Sequence, residues 1–440
     1  MLDDTNTTAG TAVFGHRLET LPPSDTDSKR SQSEAFPKRL PIPPENSVQA
    51  MGWQYRETVL TVCTLALFVT VFGRLAISPV VPDIAAEFDV SRTQIGAALT
   101  CMWLAYALTQ FPSGILAGRY GERLIILISV AGTGLTTLVI VVAPGFGVFV
   151  LGTVLLGGVA GLHYSVATTL LTRIYDDTGT AIGVHNSGAP LAGLATPVVI
   201  TWVAVRYGWR PALFLTAIVA FLVFILALWR IRPIEPSNPD GSMSEQFKLE
   251  PIFDLLSRPP IVFTGTIAIV TEFSWQAVAS FLPTFLVQYH GLSTTLSGIL
   301  FGLYFLSQGV LQVGVGAIAD RFGRDPAIGI CMISGMAGFS LLIQGPSTEL
   351  MAVGAVLLGI GMGWGAAVFP RLMDRLSEDE QGFGFGLFRT VYMTIAASGS
   401  VVVGSLADLF GWGVSIGFLA VLLGVVCLLL VANYVLDCGY

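Results

Sequence analysis

Three stretches of this chain, residues 124–172, 273–319 and 409–436, contain no Asp, Glu, Lys or Arg. No water-soluble domain keeps runs of that length off its surface, because some face of every element must meet solvent. Composition extends the argument. Of the 440 residues 53 % are hydrophobic and 12 % charged, about half the charged share of roughly 25 % in globular domains. The apolar content excludes a disordered chain, and the net charge of −7 argues against a nucleic-acid partner. The five cysteines (Cys63, Cys101, Cys331, Cys427 and Cys438) show no CxxC and no metal spacing. Neither a disulfide, nor a metal, nor any cofactor is expected. The sequence reads as an all-α integral membrane protein.

A spanning helix takes about 20 apolar residues and a short connection about ten more. From Glu57 onward that arithmetic yields about twelve spans, placed at 58–82, 93–117, 123–143, 147–172, 180–205, 211–230, 260–284, 294–318, 326–344, 349–371, 382–407 and 412–434. The runs are too long and too uniformly apolar for barrel strands. Pro144-Gly145 and Gly345-Pro346 mark tight turns, and Ser91 and Ser293 are placed to cap the helices that follow. Residues 1–56 form a proline-rich polar tail, expected to be disordered and without the apolar core of a secretory signal. Residues 57–231 are expected to form one six-helix bundle, 232–259 a central loop, 260–434 a second bundle and 435–440 a short end. With both termini cytoplasmic and the tail set aside, the inner loops carry eleven Lys and Arg, against Arg92, Arg206 and Arg210 outside. That is the asymmetry of a multi-pass plasma-membrane protein.

The two halves repeat. At an offset of 202, Ser91 meets Ser293, Gly114 meets Gly316, Arg119-Tyr120-Gly121 meets Arg321-Phe322-Gly323, and Leu155-Leu156-Gly157 meets Leu357-Leu358-Gly359. At 203, Gly183 meets Gly386 and Gly208-Trp209 meets Gly411-Trp412. Parallel internal repeats of this kind are a transporter architecture.

After span two the chain reads Gly114-Ile-Leu-Ala-Gly118-Arg119-Tyr120-Gly121-Glu122-Arg123, and after span eight Gly316-Ala-Ile-Ala-Asp320-Arg321-Phe322-Gly323-Arg324. Both resemble the GxLADRxGRR signature of the major facilitator superfamily, at the place it occupies in each half. The resemblance implies two pseudo-symmetric six-helix bundles that carry a small solute by alternating access, without cofactor and as a monomer. It also implies that Asp320 faces the start of span five in the outward-open state, where the helix dipole favours a carboxylate. In the first copy Gly118 stands where the Asp would be and Glu122 where a base would be. A latch from that copy onto span eleven is therefore weakened, and Glu378-Asp379-Glu380 is a local alternative cap. The Gly188-Ala189-Pro190 run in span five is similar to the glycine-proline motif of export antiporters, interrupted by Ala189.

Three full charges lie at membrane depth: Arg74 in span one, Glu272 in span seven and Arg389 in span eleven. Each costs at least about 2.5 kcal/mol at a helix centre, so such residues face a cavity or a partner. By resemblance all three helices line the central cavity. Trp275 and Gln276 share the face of Glu272 at i+3 and i+4. Tyr304, Gln308 and Gln312 form a stripe on span eight, and their repeat mates are Met102, Tyr106 and Gln110. Tyr392 lies one turn from Arg389, whose repeat mate is Asn186; His163, Tyr164, His185 and Trp364 complete the candidates.

Two Arg against one Glu leave the site net positive, and guanidinium groups bind carboxylates through paired hydrogen bonds. The expectation is a transporter of a small anionic organic solute, with Arg74, Arg389, Asn186, Tyr106, Gln110, Gln276, Trp275, Gln308, Trp364 and Tyr392 contacting it. Glu272 is the candidate proton carrier, with His163 or His185 as alternatives. Two plainer readings stand beside this one: Arg74 and Glu272 neutralise each other as a fixed pair, and Arg389 snorkels to the interface. A proton-coupled drug or metabolite exporter is the alternative within the class, and a transporter-like sensor the alternative outside it. An enzyme is not expected, since the chain carries no HExxH, nucleophile elbow or P-loop.

Overall fold

In the computed structural model, residues 55–175, 177–233, 236, 255–345, 347–377, 381–437 and 439 are described. The proposed tail, most of the central loop and the Glu378–Glu380 cap lie outside them. The described chain is almost wholly helical and supplies twelve membrane-length spans. Eleven are long and apolar by a strict measure of composition. The twelfth, span two (Arg92–Tyr120), carries more polar residues along its 29-residue length. Large apolar side chains such as Leu222, Trp229, Val313, Leu409 and Leu428 point outward, as a lipid-facing surface requires.

The turns show why the two halves match in sequence. Gly121 and Gly323 sit at φ 86° and 99°, and Gly208 and Gly411 at φ 86° and 82°. These are conformations that only glycine adopts without strain, so the repeat preserves a backbone need. Ser91 and Gln94 form a reciprocal capping box at the start of span two, and Ser293 accepts from Leu296 N–H at the start of span eight (Thr294–Phe322). Both serines cap as expected.

The spans differ from the sequence expectation in their interiors. Span one is a helix Tyr55–Leu75, a 3-10 turn Ser78–Val80 and a second helix Val81–Phe88. Pro79 explains the first break, because its ring clashes with the carbonyl of Leu75 four residues back. Span five divides into Thr178–Asn186 and Gly188–Tyr207, and Pro190 acts on Asn186 in the same way. Span four divides into Phe146–Gly161 and His163–Ile174, span ten into Thr348–Gly361 and Gly365–Met373, and span eleven into Gln381–Ala396 and Gly399–Phe410. The remaining spans are Glu122–Val141 (three), Trp209–Arg230 (six), Pro259–His290 (seven), Arg324–Gln344 (nine) and Trp412–Val435 (twelve).

Within each bundle, a glycine of span four or ten packs on the backbone of span two or eight. A Cβ on Gly157 would sit 2.0 Å from the Met102 carbonyl oxygen, and one on Gly359 would sit 2.6 Å from that of Tyr304. These four positions are related by the same offset of 202, so the internal repeat extends to packing. Between the bundles, spans two and eleven touch backbone to backbone: a Cβ on Gly96 would lie 2.5 Å from the Ser400 carbonyl oxygen, and one on Gly404 would lie 2.5 Å from that of Arg92.

Candidate functional site at the seam between the bundles

The seam has two ends. We call the end where Tyr55 and Val435 emerge the terminal face and the opposite end the far face. From the far face inward, the bundles are joined by a dense set of bonds. Asp408, in the last turn of span eleven, accepts from Thr93 N–H and Thr93 Oγ1 at 2.7 Å each, and from Arg92 Nη1 at 3.3 Å. A carboxylate of one bundle thus caps the first turn of a helix in the other. Gln288 at the end of span seven accepts from Arg92 Nε (2.9 Å) and from Trp412 Nε1 (3.0 Å). Deeper in the seam, Val401 N–H donates to Thr100 Oγ1 at 3.0 Å and Ser78 Oγ donates to the Ser280 carbonyl at 3.0 Å. The Ser280 and Ser400 hydroxyls pair at 2.7 Å.

Below this layer lie the three membrane charges. Arg74 is 7 % exposed; its Nε donates to the Thr70 carbonyl at 3.2 Å, and its guanidinium stacks 3.8 Å from the Tyr106 ring centroid and 5.0 Å from that of Trp103. Trp103 in turn meets Trp275 edge-on across the seam at 5.6 Å. Glu272, also 7 % exposed, accepts from Gln276 Nε2 at 3.1 Å. Arg389 crosses the seam and stacks at 4.2 Å on Tyr164, while its Nε is buried with no hydrogen-bond partner. The three charges lie within electrostatic reach of one another, together with Tyr392.

Neither plainer reading of these charges holds. No nitrogen of Arg74 or Arg389 comes within 4.0 Å of a carboxylate oxygen among the described residues. The fixed Arg74–Glu272 pair is therefore not formed: Arg74 is held by a carbonyl and two aromatic faces, Glu272 by an amide. Arg389 does not snorkel, because the ring it packs on belongs to the opposite bundle.

The remaining candidates take varied positions. Gln110 donates through Nε2 to Met393 Sδ across the seam at 3.2 Å. Gln308 is occupied, accepting from Trp275 Nε1 at 3.3 Å and donating to the Met362 carbonyl at 2.8 Å. Tyr392 is buried against Trp364, Phe369 and Phe388. His163 and His185 are fully buried, with ring centroids 5.5 Å apart, behind Tyr164. The Cys63 carbonyl approaches both rings without meeting either at hydrogen-bond geometry. Asn186, next to His185 in the same helix, is half-buried, and its Oδ1 has no hydrogen-bond partner among the described residues.

The terminal face is organised differently. Asp320 pairs with Arg324 at 2.6 Å, and Arg324 reaches Asp374 at 3.3 Å. Buried Arg371 pairs with Asp325 at 2.7 Å and donates to Thr264 Oγ1 at 2.7 Å. Glu122, 2 % exposed, pairs with Arg173, and Arg123 donates to the Leu228 carbonyl at 2.9 Å. Arg119 and Arg321 lie over the neighbouring rings of Tyr120 and Phe322, and a Cβ on Gly114 would meet nothing within 4 Å. Gly316 comes no nearer to a neighbour than Ala366. In this conformation Asp320 does not face the start of span five, which Asp177 caps from its own bundle by accepting from Thr180 N–H. Glu122 likewise stays within its bundle. Among the described residues, no hydrogen bond or ion pair joins the bundles on the terminal side of Gln110–Met393. The bonds between the bundles, among the described residues, run from Gln110–Met393 to the far face.

Sequence reasoning missed the Asp408–Thr93 cap, since 315 residues separate the partners and no local pattern marks them. It also missed Asp325, Arg371 and Asp374. The signal for these was their place at the ends of spans nine and ten, beside the second signature.

The Major Facilitator Superfamily model matches residues 63–293 and 264–437, and the chain belongs to that superfamily. It is 22 % identical over 373 residues to a hexuronate transporter of Bacillus subtilis, covering 79 % of this chain and 87 % of that one. It is 28 % identical over 180 residues to the membrane sensor protein UhpC of Escherichia coli, covering 40 % of this chain and 41 % of the sensor. Among solved structures, a bacterial homologue of the human lysosomal transporter Spinster superposes with a TM-score of 0.75 at 16 % identity, over 87 % of this chain and 98 % of that one.

Proposed function

We infer that this protein is a secondary transporter that carries a small anionic organic solute across the plasma membrane by alternating access, with both termini cytoplasmic and a proton as the coupling ion. The observation that carries the reading is the pair of guanidinium groups at the seam, one from each bundle, with no carboxylate in salt-bridge contact. A guanidinium is charged at any physiological pH. With Glu272 the one carboxylate among the described residues within reach of both and in contact with neither, two of them leave the site short of negative charge and favour an anion. Arg74 gives Nε to the Thr70 carbonyl and packs on Tyr106, and the remaining donors of its planar fork suit the bidentate geometry of a carboxylate. Arg389, on the opposite bundle, lets the same anion bind both halves at once, which is what coupling binding to rocking requires. Glu272 lies within reach of both arginines and opposes the incoming anion while ionised; a proton on it removes that opposition, so proton and anion load together. The Lys and Arg asymmetry of the loops supports a cytoplasmic terminal face, and on that reading the far-face bonds belong to an inward-facing state. The likeness to a hexuronate transporter supports the anion reading.

Uptake of labelled carboxylates by whole cells tests this. Arg389→Gln should abolish uptake while surface expression persists, and Glu272→Gln should remove the pH dependence of uptake but spare exchange between the two sides. Normal anion uptake by Arg389→Gln sinks the anion assignment, and unchanged pH dependence in Glu272→Gln removes it as the proton carrier. The sensor reading, which the partial likeness to UhpC favours, predicts instead that reconstituted vesicles move no solute under any imposed gradient.

A further inference from the structure

Two guanidinium groups demand an anion, but other groups beside them demand something an anion alone lacks. Gln276 is fully buried and its Oε1 has no hydrogen-bond partner. Its orientation is set by chemistry: Nε2 donates to Glu272, and turning the amide over would place oxygen against a carboxylate. Gln110, 4 % exposed, is similar. Its Nε2 donates to Met393 Sδ, and its Oε1 is buried and unpaired. The hydroxyl of fully buried Tyr304, within electrostatic reach of Glu272, is unpaired as well. Buried polar groups without partners are few in native structures, and each calls for an explanation.

A bare carboxylate, or an inorganic anion such as nitrate, brings acceptors only. It satisfies the arginines and leaves both amide oxygens unanswered. A hydroxyl group donates one hydrogen bond and accepts others, so it answers a glutamine oxygen and a tyrosine hydroxyl at once. From these groups we propose that the solute is a carboxylate bearing several hydroxyl groups, held by Arg74 and Arg389 at its carboxylate and by Gln276 and Gln110 at its hydroxyls. This rests on the anion reading above and narrows it. It assigns Gln276 and Gln110 as specificity-determining residues, because a site built around hydroxyl groups rejects analogues that lack them far more strongly than an apolar pocket rejects a changed methylene.

The test is a binding panel on the purified full-length protein, read by thermal stabilisation and by competition. D-gluconate carries both features, hexanoate only the carboxylate, D-glucose only the hydroxyls, and nitrate only charge. Gluconate should bind at least about tenfold more tightly than each of the other three. Gln276→Met and Gln110→Met should each weaken gluconate binding more than hexanoate or nitrate binding and so erase most of that advantage, a readout that simple misfolding does not produce. If hexanoate or nitrate binds as well as gluconate, the hydroxyl inference is wrong and the anion reading stands. If glucose binds as well as gluconate, the anion reading itself is wrong and the inference falls with it. If no member of the panel stabilises the protein, the proposed solute class is overturned. The wild-type panel alone decides between these outcomes even if a variant does not fold.

Discussion

The two ends of the seam use the same chemistry to opposite effect. At the far face the Asp408 carboxylate leaves its own bundle and binds Arg92 and the first turn of span two in the other. At the terminal face Asp320, Asp325, Asp374 and Glu122 each find an arginine in their own bundle. A carboxylate that crosses the seam stabilises one conformation of the pair of bundles. A carboxylate that stays home stabilises its bundle and is indifferent to how the bundles sit. Which end is closed is thus decided by which acids cross, and mutations at the two ends should separate into two phenotypes.

The largest effect is expected at Gly96. A Cβ there would meet the Ser400 carbonyl at 2.5 Å, closer than any ordinary contact, so Gly96→Val should prevent the far end from closing. Transport should fall by more than about tenfold, which is about 1.4 kcal/mol and within the roughly 1–3 kcal/mol that overpacking typically costs. A far-face cysteine reporter should label faster than in the parent protein; unaltered labelling would mean that spans two and eleven do not close as described. Glu122→Gln comes next. It leaves Arg173 beside a neutral amide in a site where the acid is 2 % exposed, a loss of about 2–3 kcal/mol. Thermal unfolding in detergent should register it, while far-face labelling stays the same. Asp408→Ala should do the reverse. Losing a helix cap costs about 1 kcal/mol, and the partly exposed Arg92 pair adds little. The far-open population should therefore rise about fivefold with little change in melting temperature. If Asp408→Ala lowers thermal stability as much as Glu122→Gln does, the contrast between the two ends is broken.

Much of this architecture was legible in the sequence because its causes are local. The charge-free runs require lipid, the paired glycines 121/323 and 208/411 require matching turns, and Ser91 and Ser293 cap because a hydroxyl before a helix has a nearby N–H to accept from. The three membrane charges could be picked out since nothing but function or pairing keeps such groups in apolar helices. What they touch was not legible. Arg389 on Tyr164, Gln110 on Met393 and Asp408 on Thr93 are contacts between bundles, set by how two separately folded units meet, and no spacing along the chain encodes that. The breaks at Leu162 and at 362–364 were not legible either. Unlike those at Pro79 and Pro190, no proline marks them.

Four of the lining helices are interrupted in mid-membrane, at Leu162, Ser187, 362–364 and 397–398. A continuous helix transmits a tilt along its full length; an interrupted one does not. Bending of spans four, five, ten and eleven is therefore concentrated at these joints, while the upper arm of span eleven is tied to span two by Asp408 and Val401. Opening the terminal side then draws on the swing of four arms about these joints and leaves the far-side bonds in place while that end is open.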